Sequence, residues 1–356
     1  MSFGRFLIPL FLSACACAQV TAPPQPKSGP GSSAYPFGFT QTGPYNAKGG
    51  TGIDSYSYYI YTPTALAPGP NNPNPRPAPT SAPAVLFIHG YDGDTLDPYL
   101  LWMEHMAKMG STVVWVLYDA VPVASWDATV ITDWEAALAL LEAPTPGLIP
   151  PTKTPAGKPM TFFVGHSSGA YMALKVASEA PASGFPPPLG IVAIEPGEGQ
   201  IPTFDPSLID SHTAVLMAVG DIDKSARLCT GATIWSQMTQ IPANQKPFLT
   251  VRTDDYGTPN QLANHWFPLT DTTKDDVPPP VSVDNRDYNI TYKFSVAMIR
   301  CIHDATYCDY VYGTGPVNNY GATTQTDMGV WSDGTPVVPM LEIANPPGYY
   351  GTCKGL

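Results

Sequence analysis

The stretch TFFVGHSSGAYMALKVA, residues 161–177, decides how the chain is read. Thr161-Phe162-Phe163-Val164 is a short apolar run of the kind that forms a buried strand. It runs straight into Gly165-His166-Ser167-Ser168-Gly169, after which the spacing predicts a helix over 168–180. The bare pattern Gly-x-Ser-x-Gly is weak in a chain holding 31 glycines. Its setting gives it weight. A nucleophile on a sharp strand-to-helix turn sits in strained backbone, and side chains at the flanking positions would clash, which explains glycine there. The helix that follows offers free N–H groups and the positive end of its dipole to developing negative charge. Ser167 is therefore the candidate nucleophile.

Working outward, the chain alternates short apolar runs with helical spacing. Strands are predicted at 56–61, 84–88, 112–118, 161–164, 191–194, 214–219 and 248–251. Helices are predicted at 99–109, 133–143, 168–180 and 234–240, with a last one at 290–310. This pattern implies an α/β fold with a mostly parallel central sheet and helices on both faces. Residues 19–50, rich in Pro, Gly and Ser, are predicted to be a linker or loosely attached arm. Residues 63–83, with Asn-Asn-Pro-Asn-Pro, read as a long exposed loop. One catalytic domain over 51–356 is the simplest account, with a C-terminal extension after about 270.

Six histidines are available as general base. His89, His105, His166, His212 and His303 fall in or beside predicted elements. His265 alone lies in a loop (Asn264-His265-Trp266-Phe267-Pro268) just after the last predicted strand, where the sheet would deliver a base. The acid should follow an earlier strand, and Gly220-Asp221-Ile222-Asp223 ends the 214–219 run. Asp223 is preferred as the partner of His265, with Asp221 as the alternative and the other aspartate as a helix cap. An oxyanion hole needs two backbone donors. Ser168 follows the nucleophile, and Gly90 lets the backbone of Tyr91 turn in close. The rings of Tyr91, Trp102 and Trp266 are candidates for the substrate cleft or, equally, for the core.

At these residues the sequence resembles the α/β-hydrolase superfamily, and within it the dienelactone-hydrolase-like, chlorophyllase-like and polyester-hydrolase-like branch of serine esterases. The resemblance runs through Phe87-Ile88-His89-Gly90-Tyr91, Trp102 to Gly110, Gly165–Gly169, Gly220–Asp223 and Leu262-Ala263-Asn264-His265. It implies the α/β-hydrolase fold and a Ser167–His265–Asp223 triad, with the backbone N–H groups of Tyr91 and Ser168 as oxyanion hole. It further implies an ester substrate and no cofactor or metal. Two departures stand out. A dienelactone hydrolase proper has cysteine where this chain has Ser167, and the ninety residues beyond His265 have no counterpart in minimal cutinases.

Composition limits the partners. Seventeen basic residues against 29 acidic ones give a net charge of −12, with no basic patch, so nucleic acid and anionic membranes are poor partners. A monomer is expected. The 42 prolines cluster between the periodic segments and read as stiff loops. Residues 1–18 have Arg5, an apolar run from Phe6 to Leu12 too short to span a membrane, and then small residues, the outline of a secretory signal peptide. Cleavage after Ala18 and a lipid anchor at Cys15 are alternative readings, and both imply export. Cys229, Cys301, Cys308 and Cys353 are then expected in disulfides, with three pairings possible. Cys301 and Cys308 can pair only if a helix ends between them, because two unbroken turns hold them about 10 Å apart.

Overall fold

The computed structural model describes residues 19–67, 69, 76–93, 95–272 and 281–353. The expected leader, with Cys15, lies outside them. Nine strands form one sheet: β1 Gly38–Asn46, β2 Ser57–Thr64, β3 Ala84–Ile88, β4 Thr112–Val116, β5 Thr161–His166, β6 Gly190–Ile194, β7 Ala214–Gly220, β8 Phe248–Val251 and β9 Leu341–Glu342. Their order across the sheet is β1-β2-β4-β3-β5-β6-β7-β8-β9. The six central strands run parallel; β1, β2 and β9 are antiparallel additions at the two edges. β3 to β6 are buried along their whole length, as strands covered on both faces must be.

The helices are α1 Leu100–Lys108, α2 Trp126–Glu142, α3 Ser168–Ser183, α4 Leu228–Gln237, α5 Tyr292–Cys301, α6 Cys308–Tyr312 and α7 Pro346–Tyr350. Alternate strand residues feed two separate cores. On one face Leu86, Val114, Phe163, Ile191 and Met217 pack under α2, α3 and α4. On the other, Phe87, Trp115, Phe162, Val192 and Leu216 pack under α1, α5 and the segment around Met328–Met340. The extension after 270 thus supplies part of the cover of one sheet face.

Several expectations are corrected here. Residues 38–46, assigned by composition to a loose arm, are β1, paired with β2 from Gly38↔Thr64 to Asn46↔Ser57. The segment before it is docked as well, with Phe37 buried and the Pro30 carbonyl bonded to His105. α2 begins at Trp126, earlier than expected, and α4 at Leu228. The helix expected over 290–310 stops at Cys301 and resumes at Cys308. That break lets Cys301 pair with Cys308, and Cys229 pairs with Cys353.

The strand order also places the site. The chain leaves β3 toward β4 on one side, and it leaves β5 toward β6 on the other. A crevice opens beyond the carboxyl ends of β3 and β5, where the connections part. Gly90 and Ser167 lie at those two ends.

Candidate active site

Ser167 is the residue between β5 and α3, and its backbone is held at φ 56°, ψ −126°, a region that L-residues avoid. The surroundings explain how it stays there. Its N–H donates to the Ile194 carbonyl (3.0 Å), and its own carbonyl accepts from Gly197 N–H (3.1 Å) and from Tyr171 N–H in the first turn of α3 (3.1 Å). The glycines are required by space. A Cβ on Gly165 would lie 2.3 Å from the Gly169 carbonyl oxygen, and one on Gly169 would lie 2.1 Å from that of Ile88.

The hydroxyl of Ser167 is 2.9 Å from His265 Nε2, and His265 Nδ1 is 2.9 Å from Asp223 Oδ2. His265 and Asp223 are both buried, at 6% and 7% exposure. The other Asp223 oxygen accepts from the N–H groups of Ser225 and Ala226, which fixes the carboxylate in its turn. Asp221 points elsewhere: it accepts from the Thr253 N–H and hydroxyl, and it does not cap a helix. Among the remaining histidines, His212 is exposed and paired with Asp210. His105 is buried in α1, stacked on Tyr292 at 4.1 Å between centroids.

A second layer, absent from the sequence reading, surrounds this row. Gly90 N–H donates to the Tyr99 hydroxyl (2.9 Å), which donates to His166 Nδ1 (2.9 Å). That assigns the His166 proton to Nε2, which donates to the His265 carbonyl (2.9 Å). Burial holds the His166 ring neutral, far below the ordinary histidine range, and nearby His265 acts in the same sense. The loop after β3, the turn carrying Ser167 and the loop carrying His265 are thereby joined by one chain of hydrogen bonds. Glu195, at the end of β6, completes the layer. It is wholly buried, with Oε2 3.4 Å from His265 Nδ1 and 3.5 Å from His166 Nε2.

These residues open into a cleft of about 830 Å³. Tyr91, Ser168 and Trp266 line it, together with Trp126, Gln200 and Ile201. Trp102 does not, and its assignment to the cleft is corrected. It is fully buried in α1, edge-on to Phe87, with its indole N–H on Ser295 of α5 (2.9 Å). Trp126, which the sequence did not mark, takes a place in the cleft wall with the Tyr91 ring 5.8 Å away. Trp266 sets its edge against the His265 ring at 5.4 Å.

A serine hydroxyl bonded to an imidazole that is in turn bonded to a buried carboxylate, at the carboxyl edge of a parallel sheet, is an arrangement that generates an oxygen nucleophile. Residues 85–250, from β3 to β8, match the model of the alpha/beta hydrolase fold family. The chain has the alpha/beta hydrolase fold. A comparison with the curated proteins found no match. The matched region holds Ser167, Glu195 and Asp223, and His265 follows it by fifteen residues. His166, Glu195 and His265 are also close enough to hold a metal ion. Here, however, His166 Nε2 is committed to the His265 carbonyl and His265 Nδ1 to Asp223. The set is accordingly read as a hydrogen-bond network.

Proposed function

We propose that this chain is an exported serine hydrolase that cleaves carboxylic esters through an acyl-enzyme on Ser167, within the dienelactone-hydrolase-like, chlorophyllase-like and polyester-hydrolase-like branch. The observation that carries the reading is the continuous row Ser167 Oγ–His265–Asp223, with 2.9 Å at both steps. His265 Nε2 takes the Ser167 proton as the oxygen attacks the ester carbonyl. The Nδ1 proton stays on the ring, and Asp223 stabilises the resulting imidazolium. The oxyanion forms against the backbone N–H groups of Tyr91 and Ser168, both at the cleft, with the start of α3 adding its positive end. Collapse of the tetrahedral intermediate breaks the ester C–O bond, and the alkoxide leaves with the proton from His265. Water, deprotonated by the same ring, then releases the acid and restores Ser167.

The cleft wall supports an apolar or aromatic acyl group, since Tyr91, Trp126 and Trp266 all present rings to it. Two disulfides fit an oxidising compartment, and no helix among the described residues is long and apolar enough to cross a membrane. The test is hydrolysis of p-nitrophenyl esters of increasing chain length, alongside a triglyceride and a polyester. Ser167→Ala and His265→Ala are each expected to lower kcat at least a thousandfold with the fold intact. Activity retained in Ser167→Ala refutes the assignment. A fluorophosphonate adduct confined to Ser167 identifies the nucleophile independently.

A further inference from the structure

Glu195 combines three features that a merely structural residue would shed. Its backbone is at φ 52°, in the left-handed region that is strained for a residue bearing a Cβ. Its carboxyl is entirely buried, and Oε2 has no hydrogen-bond partner among the described residues. Its other oxygen accepts from Gly220 N–H at 3.2 Å. The polar atoms that Oε2 faces are the inner nitrogens of the site, His265 Nδ1 and His166 Nε2. Strain, burial and an idle acceptor thus converge on the ring that acts as base.

Resting on the triad reading above, we propose that Glu195 is a positioning residue for His265. Its Oε2 is a second acceptor for the Nδ1 proton, idle while Asp223 carries the charge and engaged when Asp223 is neutralised or lost. The charges around it support that division. Burial first, and then the neighbouring Asp223 carboxylate, hold the Glu195 carboxyl well above the usual range, while Gly220 N–H and Arg286 oppose them weakly. His166 stays neutral, and Arg286 is engaged with Asp284 and the Leu262 carbonyl. Two adjacent carboxyls in a dry site share one charge more readily than they hold two. With Asp223 ionised, Glu195 keeps its proton. Removing the Asp223 charge lets Glu195 ionise 3.4 Å from the same Nδ1, where it orients the ring in the required tautomer.

The experiment compares Asp223→Ala, Glu195→Gln and the double variant, following kcat/KM against pH on a p-nitrophenyl ester. Glu195→Gln alone is expected within about threefold of the parent, because a neutral amide replaces a neutral acid. Asp223→Ala is expected to lose about a hundredfold, with activity climbing as pH rises and Glu195 loses its proton. The double variant should lose about ten-thousandfold, the scale seen when a triad acid is lost outright, with no such climb. Equal activity of Asp223→Ala and the double variant at every pH overturns the proposal. The same pair on an Asp223→Asn background gives the answer if alanine disorders the turn at 223–226, as judged by circular dichroism. Ser167→Ala is the control that separates the two readings. If it remains active, the triad has failed; if it is dead and the pairs match, only the role of Glu195 has failed.

Discussion

Gly169 lacks a side chain because the carbonyl oxygens of Ile88 and His89 occupy the place where a Cβ would stand, at 2.1 and 2.2 Å. Both are backbone atoms at the end of β3, so they cannot swing aside. Gly169→Ala is expected to cost about 3 kcal/mol in urea unfolding, and to lower activity by pushing α3 off β3. A loss under 0.5 kcal/mol would show that the elbow has slack. Asp133 in α2 presents a different conflict: neither carboxyl oxygen has a hydrogen-bond partner among the described residues, and burial pushes its pKa up to about 9. The native carboxyl keeps its proton while the unfolded one ionises near pH 4, so it drains stability steadily as pH rises from about 4 to about 9. Asp133→Asn removes that drain. Its stability relative to the parent should grow across this window, measured as Tm at several pH values, and parallel curves would contradict the argument. Glu195 is buried with a raised pKa as well, but it faces the site, and Asp133 does not.

At the scale of elements, the segment before β1 is tied down by a neutral histidine. His105 Nε2–H donates to the Pro30 carbonyl (2.8 Å), and Nδ1 accepts from the Tyr35 hydroxyl (3.1 Å). Burial lowers the ring to about 3. The unfolded ring takes a proton below about pH 6.5 and the folded one does not, so this contribution is complete above pH 6.5 and shrinks as pH falls toward 3. His105→Phe keeps the stacking on Tyr292 and loses the titration. The parent should therefore lose stability more steeply than the variant between pH 6.5 and 4, and equal slopes would rule the mechanism out. The same region shows where sequence reading stops. The central strands were legible because β3, β4, β5 and β6 are unbroken apolar runs, a pattern that needs no partner to recognise. β1 was not, since an edge strand of mostly polar and half-exposed residues has no buried face to impose alternation. The first turns of α2 were hidden by Thr129, Val130, Ile131 and Thr132, whose branched side chains favour strands until packing overrides them. In the site, Ser167 was marked by its strand–turn–helix setting and His265 by its place after the last strand, whereas Asp223 and Asp221 both remained open until their contacts, with His265 and with Thr253, were known. Trp102 could be given neither to the cleft nor to the core, because a helix's rotation about its axis decides which way its indole turns. The chain through Tyr99 and His166, and the presence of Glu195, depend on contacts between loops distant in sequence.

Over the whole molecule, the C-terminal segment is held by its ends. Cys353 is bonded to Cys229 in α4 across 124 residues, and Lys293 in α5 lies buried with its ammonium on the Gln325 (2.8 Å) and Asp327 (3.0 Å) carbonyls. Closing so long a loop restricts the unfolded chain strongly. Replacing both cysteines by alanine is expected to cost about 4 kcal/mol by urea unfolding, and a loss below 1 kcal/mol would mean that the chain end holds without the bridge. The short Cys301–Cys308 loop should matter less by the same reasoning. β9 gives this anchorage a further meaning. It is only two residues long, yet Leu341 and Glu342 lie along β8, and Ile343 N–H continues onto the Phe248 carbonyl. Without that cover, β8 would present a row of unpaired amides at the rim of a nine-stranded sheet, a template on which a second chain could add a strand. The bridge from Cys353 to α4 ties down the chain end that follows β9. Under reducing conditions the hazard would be intermolecular: rim-to-rim growth into aggregates, starting before the cleft itself has lost its shape.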